Sequence, residues 1–130
     1  GNILIDRLNS SKASDTLKQT IRKIRERRLS VWLFPEGTRS NGRGLLPFKT
    51  GAFRIARETN EPVCMICDSE LHGKVSLNRW NNGIVLVDVT APVALDDSRD
   101  LKGWTQYFHQ QMQAKIQQLN EEVAALEAKP

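Results

Sequence analysis

The sequence predicts an α/β fold: a mostly parallel sheet flanked by helices, with a long C-terminal helix. Short runs of β-branched and other apolar residues alternate with segments whose apolar residues recur every three or four positions. The order strand, helix, strand at the start of the chain favours a parallel pair with a right-handed crossover. The 130 residues, 39% hydrophobic and 26% charged, amount to one domain, residues 1–130, able to form a core.

The first half of the chain predicts two strands around a helix. Residues 2–7 are typical of a short strand. Residues 11–28 predict a helix, because one apolar stripe recurs at helical spacing, formed by Ala13, Leu17, Ile21 and Ile24. Residues 29–34 predict a buried strand that ends at Pro35, since proline cannot donate to a sheet ladder.

The middle of the chain predicts a short helix and two further strands. The helix is expected over residues 51–57, where small residues allow close packing on a sheet. Strands are expected over residues 63–67 and 84–89, and the polar segment 68–83 between them is expected to form a loop or irregular hairpin.

The last helix is predicted to be long. Its start is expected at Asp96, Asp97 or Ser98, and its apolar spacing continues to Leu126. Its first half should cover the sheet. For the second half, from Ile116 on, packing on the same domain is favoured over a projecting tail or a partner helix.

The segment after the second strand combines glycines, charges and a helix start. Between Phe34 and Gly51 the chain holds the acid Glu36, four glycines and three cations, which are Arg39, Arg43 and Lys49. Backbone amides freed by glycine, a helix N-terminus and fixed cations suit a bound phosphate. Open α/β sheets bind their ligands at this end of the strands. The segment therefore predicts a phosphate-binding loop.

Charge is unevenly distributed along the chain. Residues 1–60 carry 13 Lys+Arg and 5 Asp+Glu, whereas residues 61–130 carry 6 and 10, which together give the net charge of +4. A basic half suits phosphate-bearing ligands, anionic lipid surfaces or nucleic acid. The basic run 22–28 is equally well explained as a solvated helix face.

Two cysteines, Cys64 and Cys67, have the spacing of a redox motif but lie in an apolar run that predicts a strand. Residues three apart on a strand point to opposite faces, and a second cysteine pair that could complete a zinc site is lacking. Buried, inert thiols are the favoured interpretation.

Three stretches resemble the sequence blocks of the glycerolipid acyltransferases. Residues 34–40, Phe-Pro-Glu-Gly-Thr-Arg-Ser, resemble the family's third block, residues 1–7 its second, and residues 62–66 its fourth, with Met65 where a second proline would stand. The similarity runs over nearly the whole chain and is strongest to the bacterial enzymes that act on 1-acyl-sn-glycerol-3-phosphate. It implies transfer of a fatty acyl group from acyl-CoA or acyl-acyl carrier protein to the 2-hydroxyl of lysophosphatidic acid, giving phosphatidic acid.

The resemblance also implies which residues hold the substrate. Arg7 and the block Glu36, Gly37, Thr38 and Arg39 would bind the glycerophosphate, and the chemistry of the loop adds Lys49 as a further cation. Glu36 is expected to accept a hydrogen bond from a hydroxyl or to orient an arginine. The family implies no metal or cofactor, and a place on the cytoplasmic face of the bacterial inner membrane.

The family's catalytic base is a histidine followed, after four residues, by an aspartate. His72 and His109 are followed at that distance by Leu77 and Ala114, so neither fits. Because the chain opens on Gly1 inside an apolar run, we expect an N-terminally truncated acyltransferase domain that is inactive alone. Both histidines are interpreted as ordinary polar positions.

Two other functions compete with this interpretation. A nucleic-acid-binding module would use the basic half, but aromatic residues are not interleaved with its cations. A nucleotide-binding domain would need the Gly-x-x-x-x-Gly-Lys-Ser/Thr spacing, which Lys49, preceded by Phe48, does not meet.

Overall fold

The computed structural model describes residues 10–76, 78–80 and 82–128. Their elements, in chain order, are α1 (Ser10–Arg27), α2 (Gly51–Thr59), β1 (Ile66–Asp68), β2 (Val87–Val89) and α3 (Leu101–Glu127). The predicted strand 2–7, with Arg7, lies outside the described residues.

Helix α1 confirms the helix predicted over 11–28. Its apolar stripe packs against the next helix, where Leu17, Ile21 and Ile24 meet Ile55 in one core cluster. The helix ends at Arg28, which takes a left-handed conformation (φ 50°) and donates its N–H to the Ile24 carbonyl at 2.8 Å.

Helix α2 confirms the short helix predicted after the loop. Phe53, Ile55 and Ala56 form its buried face. Asn60 ends it in the left-handed conformation (φ 57°), with its N–H directed at the carbonyls of the last turn.

Strands β1 and β2 form an antiparallel pair in the register Ile66↔Val89, Cys67↔Asp88 and Asp68↔Val87. Strand β2 lies within its predicted segment, and β1 overlaps its predicted segment at Ile66 and Cys67 but extends to Asp68. The antiparallel pairing agrees with the irregular hairpin expected between them, although the sheet was predicted to be mostly parallel. A parallel pair needs a crossover connection, usually a helix, and the residues between β1 and β2 form only turns and irregular structure in the part that is described.

The prediction of a buried strand over residues 29–34 is wrong for the described structure. Trp32 and Phe34 are 68% and 78% exposed, while Leu33 between them packs against the α1–α2 cluster. Leu29 and Val31 are exposed as well, at 47% and 41%, so the segment is not buried. Neither β1 nor β2 hydrogen-bonds to residues 29–34, and a strand requires such a neighbour.

Helix α3 begins at Leu101, later than predicted, because Asp100 is its N-cap and accepts the Gly103 N–H at 2.6 Å. Trp104 and Phe108 form a second core cluster with Phe53 of α2. No helix in the described part of the chain is long and apolar enough to cross a bilayer.

The second half of α3 packs on the same domain, as favoured from the sequence. Leu119 and Val123 are buried. Asn120 Oδ1 accepts the Glu70 N–H at 2.7 Å, and Glu127 lies 3.6 Å from the Lys74 ammonium. These contacts fasten the loop after β1 to the helix.

Candidate functional site

The candidate site is the segment 34–50, here called the site loop. It opens with a turn in which Gly37 donates its N–H to the Phe34 carbonyl at 3.0 Å. It closes where the Lys49 N–H reaches the Pro35 carbonyl at 2.8 Å. Its two ends are therefore joined just before the start of α2. The sequence predicted that the loop runs into a helix, but not that its ends are joined.

Glu36 holds the site loop together from inside. Its half-buried carboxylate accepts the Leu46 N–H at 2.8 Å. The described partner is thus a backbone amide ten residues on, rather than the hydroxyl or arginine expected from the sequence. A carboxylate fixed in this way braces the loop and still has oxygen lone pairs for a further donor.

Gly37 and Lys49 lie against each other. Gly37 has a φ of 69°, and a Cβ placed on it would lie 3.1 Å from the Cδ, Cε and Nζ atoms of Lys49. The lysine stem therefore runs across the glycine backbone, and its ammonium is held beside the first turn of the loop. The structure brings together these two predicted site residues.

Thr38 and Arg39 follow directly and are both exposed. Among the described residues the Arg39 guanidinium makes no hydrogen bond or ion pair, so it retains all its donors for a ligand. Arg43 differs, because its Nε donates to the Ser40 carbonyl at 2.8 Å. The other predicted arginine, Arg7, lies outside the described residues.

The tip of the site loop is a tight turn. Asn41 and Gly42 have φ of 52° and 79°, the pattern of a type I′ turn, and the Arg43 N–H closes it on the Ser40 carbonyl at 3.3 Å. The His72 ring lies on this turn, since a Cβ on Gly42 would be 2.9 Å from its Cδ2 atom. The sequence offered no signal for this contact.

The N-terminus of α2 adds partial positive charge to the end of the site loop. Its N-cap, Thr50, makes no side-chain hydrogen bond to the first amides. Uncapped amides at a helix start carry partial positive charge and bind anions. Lys49 directly precedes Thr50, so a cation stands next to these amides along the chain, a combination that suits a phosphate.

His109 has a different environment from the one predicted. Its Nε2 is buried without a hydrogen-bond partner among the described residues, and its ring meets Phe48 edge-on at 4.9 Å between centroids. The position is therefore a packing contact between α3 and the site loop. Phe48 and His109 are far apart in the sequence, so no local pattern could have predicted that their rings are in contact.

The two cysteines occupy opposite environments, as expected for positions three apart on a strand. Cys67 is buried, and burial raises the pKa of its thiol, with the Asp88 carboxylate adding to the effect. Cys64 is exposed, so the prediction that both thiols are buried is wrong for this residue. It lies before β1, and its thiol donates a hydrogen bond to the Thr90 carbonyl. Within the described ranges, groups of His, Cys, Asp or Glu that could hold a metal ion are absent.

Comparison with known proteins identifies relatives of this chain. The 1-acyl-sn-glycerol-3-phosphate acyltransferase of Haemophilus influenzae is 46% identical over 95% of this chain and 52% of its own length. That of Escherichia coli is 44% identical over 98% and 53%. The chain thus spans about half the length of the curated relatives that it matches.

A solved structure shows the same fold. The crystal structure of the 1-acyl-sn-glycerophosphate acyltransferase from Thermotoga maritima superposes with a TM-score of 0.68 at 24% identity, covering 82% of this chain and 46% of that one. It confirms the mixed α/β class. The family model named Acyltransferase matches residues 1–68. Because this match takes in just over half of the chain and the whole site loop, the chain belongs to the acyltransferase family.

Proposed function

We propose that the chain is the acceptor-holding part of an enzyme that acylates the 2-hydroxyl of lysophosphatidic acid. The donor is acyl-CoA or acyl-acyl carrier protein, and the product is phosphatidic acid. The reaction takes place at a membrane surface, on the cytoplasmic face of the bacterial inner membrane. The observation that carries the proposal is the approach of Lys49, which directly precedes the N-cap of α2, to Gly37 in the turn that leads into Arg39.

In this proposal the site loop holds the phosphate end of the acceptor. Arg39 offers a planar fork of donors, and Lys49 adds a point charge fixed by Gly37. Arg7 supplies a second arginine. Thr38 lies between Gly37 and Arg39 and faces solvent, where its hydroxyl can reach the glycerol part of the acceptor. Glu36 keeps the loop in shape through Leu46.

The proton of the acceptor hydroxyl has to pass to a base as the oxygen attacks the thioester carbonyl and the thiolate leaves. Neither histidine of this chain is followed by the orienting aspartate, and His109 is packed against Phe48. Residues 1–130 alone should therefore transfer no acyl group. Measurable transfer by this purified chain would overturn the assignment of the base to a part outside it.

The phosphate clamp is tested in an acyltransferase that also carries the histidine–aspartate pair. Arg39→Ala should lower kcat/KM for lysophosphatidic acid about ten- to a hundredfold, the loss expected for a hydrogen bond between charged groups. The KM for the acyl donor should stay unchanged. Arg43→Gln is the matched control, since this cation of the same loop is already bound to Ser40. Equal loss toward donor and acceptor would remove Arg39 from the clamp.

A direct binding measurement complements the kinetics. Isothermal titration of glycerol 3-phosphate into the 130-residue chain should give weaker binding for Arg39→Gln than for Arg43→Gln. If both variants bind as the parent does, the site loop is not the phosphate site.

A further inference from the structure

Helix α1 and the residue that ends it carry a concentration of positive charge. Residues 16–28 hold six cations and one acid, Glu26. The six are here called the basic surface: Lys18, Arg22, Lys23, Arg25, Arg27 and Arg28. All are exposed except Lys23, which is half-buried.

The fold fixes the direction in which these cations point. Ile21 and Ile24 are buried against Ile55 of α2, so the polar side of α1 has to face away from the core. The basic surface is thus held on a packed helix rather than on a mobile tail.

Neutralisation of this charge within the described structure is weak. Arg22 and Glu26 are 3.8 Å apart and both more than half exposed, which makes a weak pair. Arg25 donates to the backbone carbonyl of Glu58, whose carboxylate is held instead by Arg54 at 2.7 Å.

The remaining cations of the surface make no ion pair with any described residue; they are Lys18, Lys23, Arg27 and Arg28. A surplus of exposed positive charge therefore remains for a partner. Beside it, an open groove of about 360 Å³ runs between the two helices, lined by Lys18, Ile21, Arg22, Arg25, Glu26 and Glu58.

We infer that the basic surface docks the protein on an anionic phospholipid bilayer. Negative lipid headgroups attract clusters of lysine and arginine over a short range. In the groove three cations face two glutamates, one of which is paired with Arg54, so a cationic surplus remains for a headgroup phosphate. The inference rests on the proposed function, because lysophosphatidic acid is itself a lipid held in such a bilayer. Residues 16–28 contain no aromatic side chain that could stack on bases, which disfavours nucleic acid as the partner.

Docking through α1 would bring the site loop to its substrate. Six residues separate Arg28 from Pro35. Even fully extended they span only about 20–25 Å. The site loop therefore begins within about 25 Å of the last cation of the surface that we assign to the bilayer.

Co-sedimentation of the 130-residue chain with vesicles tests this assignment. Vesicles of phosphatidylcholine with about 30% phosphatidylglycerol should bind the chain, pure phosphatidylcholine vesicles should not, and salt should weaken binding. The double variant Lys18→Gln/Arg27→Gln should lower the partition coefficient about fivefold for each cation removed. Arg79→Gln/Lys102→Gln is the matched control, with the same loss of net charge elsewhere, and should bind nearly as the parent does. Circular dichroism verifies that each variant is folded.

Three results would overturn the docking surface. These are equal binding to neutral vesicles, an equal loss in the control pair, and tighter binding to a DNA duplex than to the anionic vesicles. The outcome is separable from the proposed function. Acyl transfer in detergent micelles, measured in the enzyme that carries the histidine–aspartate pair, does not require a bilayer. A docking surface that fails while micellar transfer and the effect of Arg39→Ala persist would leave the acyltransferase assignment standing.

Discussion

The side chain of Lys49 lies across the backbone of Gly37, with its Cδ, Cε and Nζ atoms 3.1 Å from where a Cβ would stand. This contact joins the first turn of the site loop to Lys49 near its other end, just before the N-cap of α2. A glycine is needed at position 37 for two reasons. A Cβ would crowd the Lys49 side chain, and the φ of 69° is one that residues other than glycine rarely adopt.

Gly37→Ala should separate these two roles when compared with Gly44→Ala. Both glycines have positive φ, but a Cβ on Gly44 meets nothing within 4 Å. Each alanine should cost about 1–2 kcal/mol of unfolding free energy from the left-handed conformation. Only Gly37→Ala also pushes the Lys49 side chain aside. We expect urea denaturation to give similar losses, while titration with glycerol 3-phosphate weakens in Gly37→Ala alone.

The lysine itself provides the control for that difference. In a Lys49→Ala background, the alanines at positions 37 and 44 should affect glycerol 3-phosphate binding equally. A difference that persisted without Lys49 would show that Gly37 acts by another route.

The carboxylate of Glu36 is expected to matter for stability as well as for the site. Glu36→Ala leaves the Leu46 N–H without its acceptor, which should cost about 1–2 kcal/mol in unfolding free energy. Glu36→Gln keeps an acceptor oxygen and should cost less than half as much. Hydrogen exchange at the Leu46 amide should quicken in Glu36→Ala. Unchanged exchange would mean that this hydrogen bond does not hold the loop.

The two thiols should differ in reactivity and in their effect on stability. Iodoacetamide should modify the exposed Cys64 before the buried Cys67. Because the pKa of Cys67 is raised in the folded chain, its contribution to stability is present below the ordinary thiol pKa and is lost as the pH rises through the folded value. Unfolding free energy should therefore fall with alkaline pH more steeply in the parent than in Cys67→Ala. Cys64→Ser should keep the parent slope, and equal slopes for all three proteins would contradict this account.

The sequence allowed the helices to be predicted because their signals are local. The stripe of Leu17, Ile21 and Ile24 marks α1, and the break at Pro35 marks the entry to the site loop. Strand pairing is not local, which is why residues 29–34 were expected to be buried although Trp32 and Phe34 are exposed in the described structure.

A candidate site could be predicted from the sequence for the same reason. Its glycines and cations follow one another along the chain, so local chemistry alone suggests a phosphate-binding loop, and this remains a prediction. The bond from Leu46 to Glu36, the ring of His72 on Gly42 and the packing of His109 on Phe48 join residues 10, 30 and 61 positions apart. Contacts between residues so far apart in the sequence cannot be predicted from periodicity or from a motif.

The length of α3 has a consequence for how the domain comes apart. At 27 residues it extends about 40 Å. It meets the site loop near one end, through His109 and Phe48, and the loop after β1 near the other, through Asn120 and Glu127. The helix thus bridges two segments between which no hydrogen bond runs among the described residues, although the His72 ring lies on Gly42. Fraying of the last turns of α3 should loosen the loop after β1 first, and the site loop should keep its protection from hydrogen exchange until the rest of the helix opens.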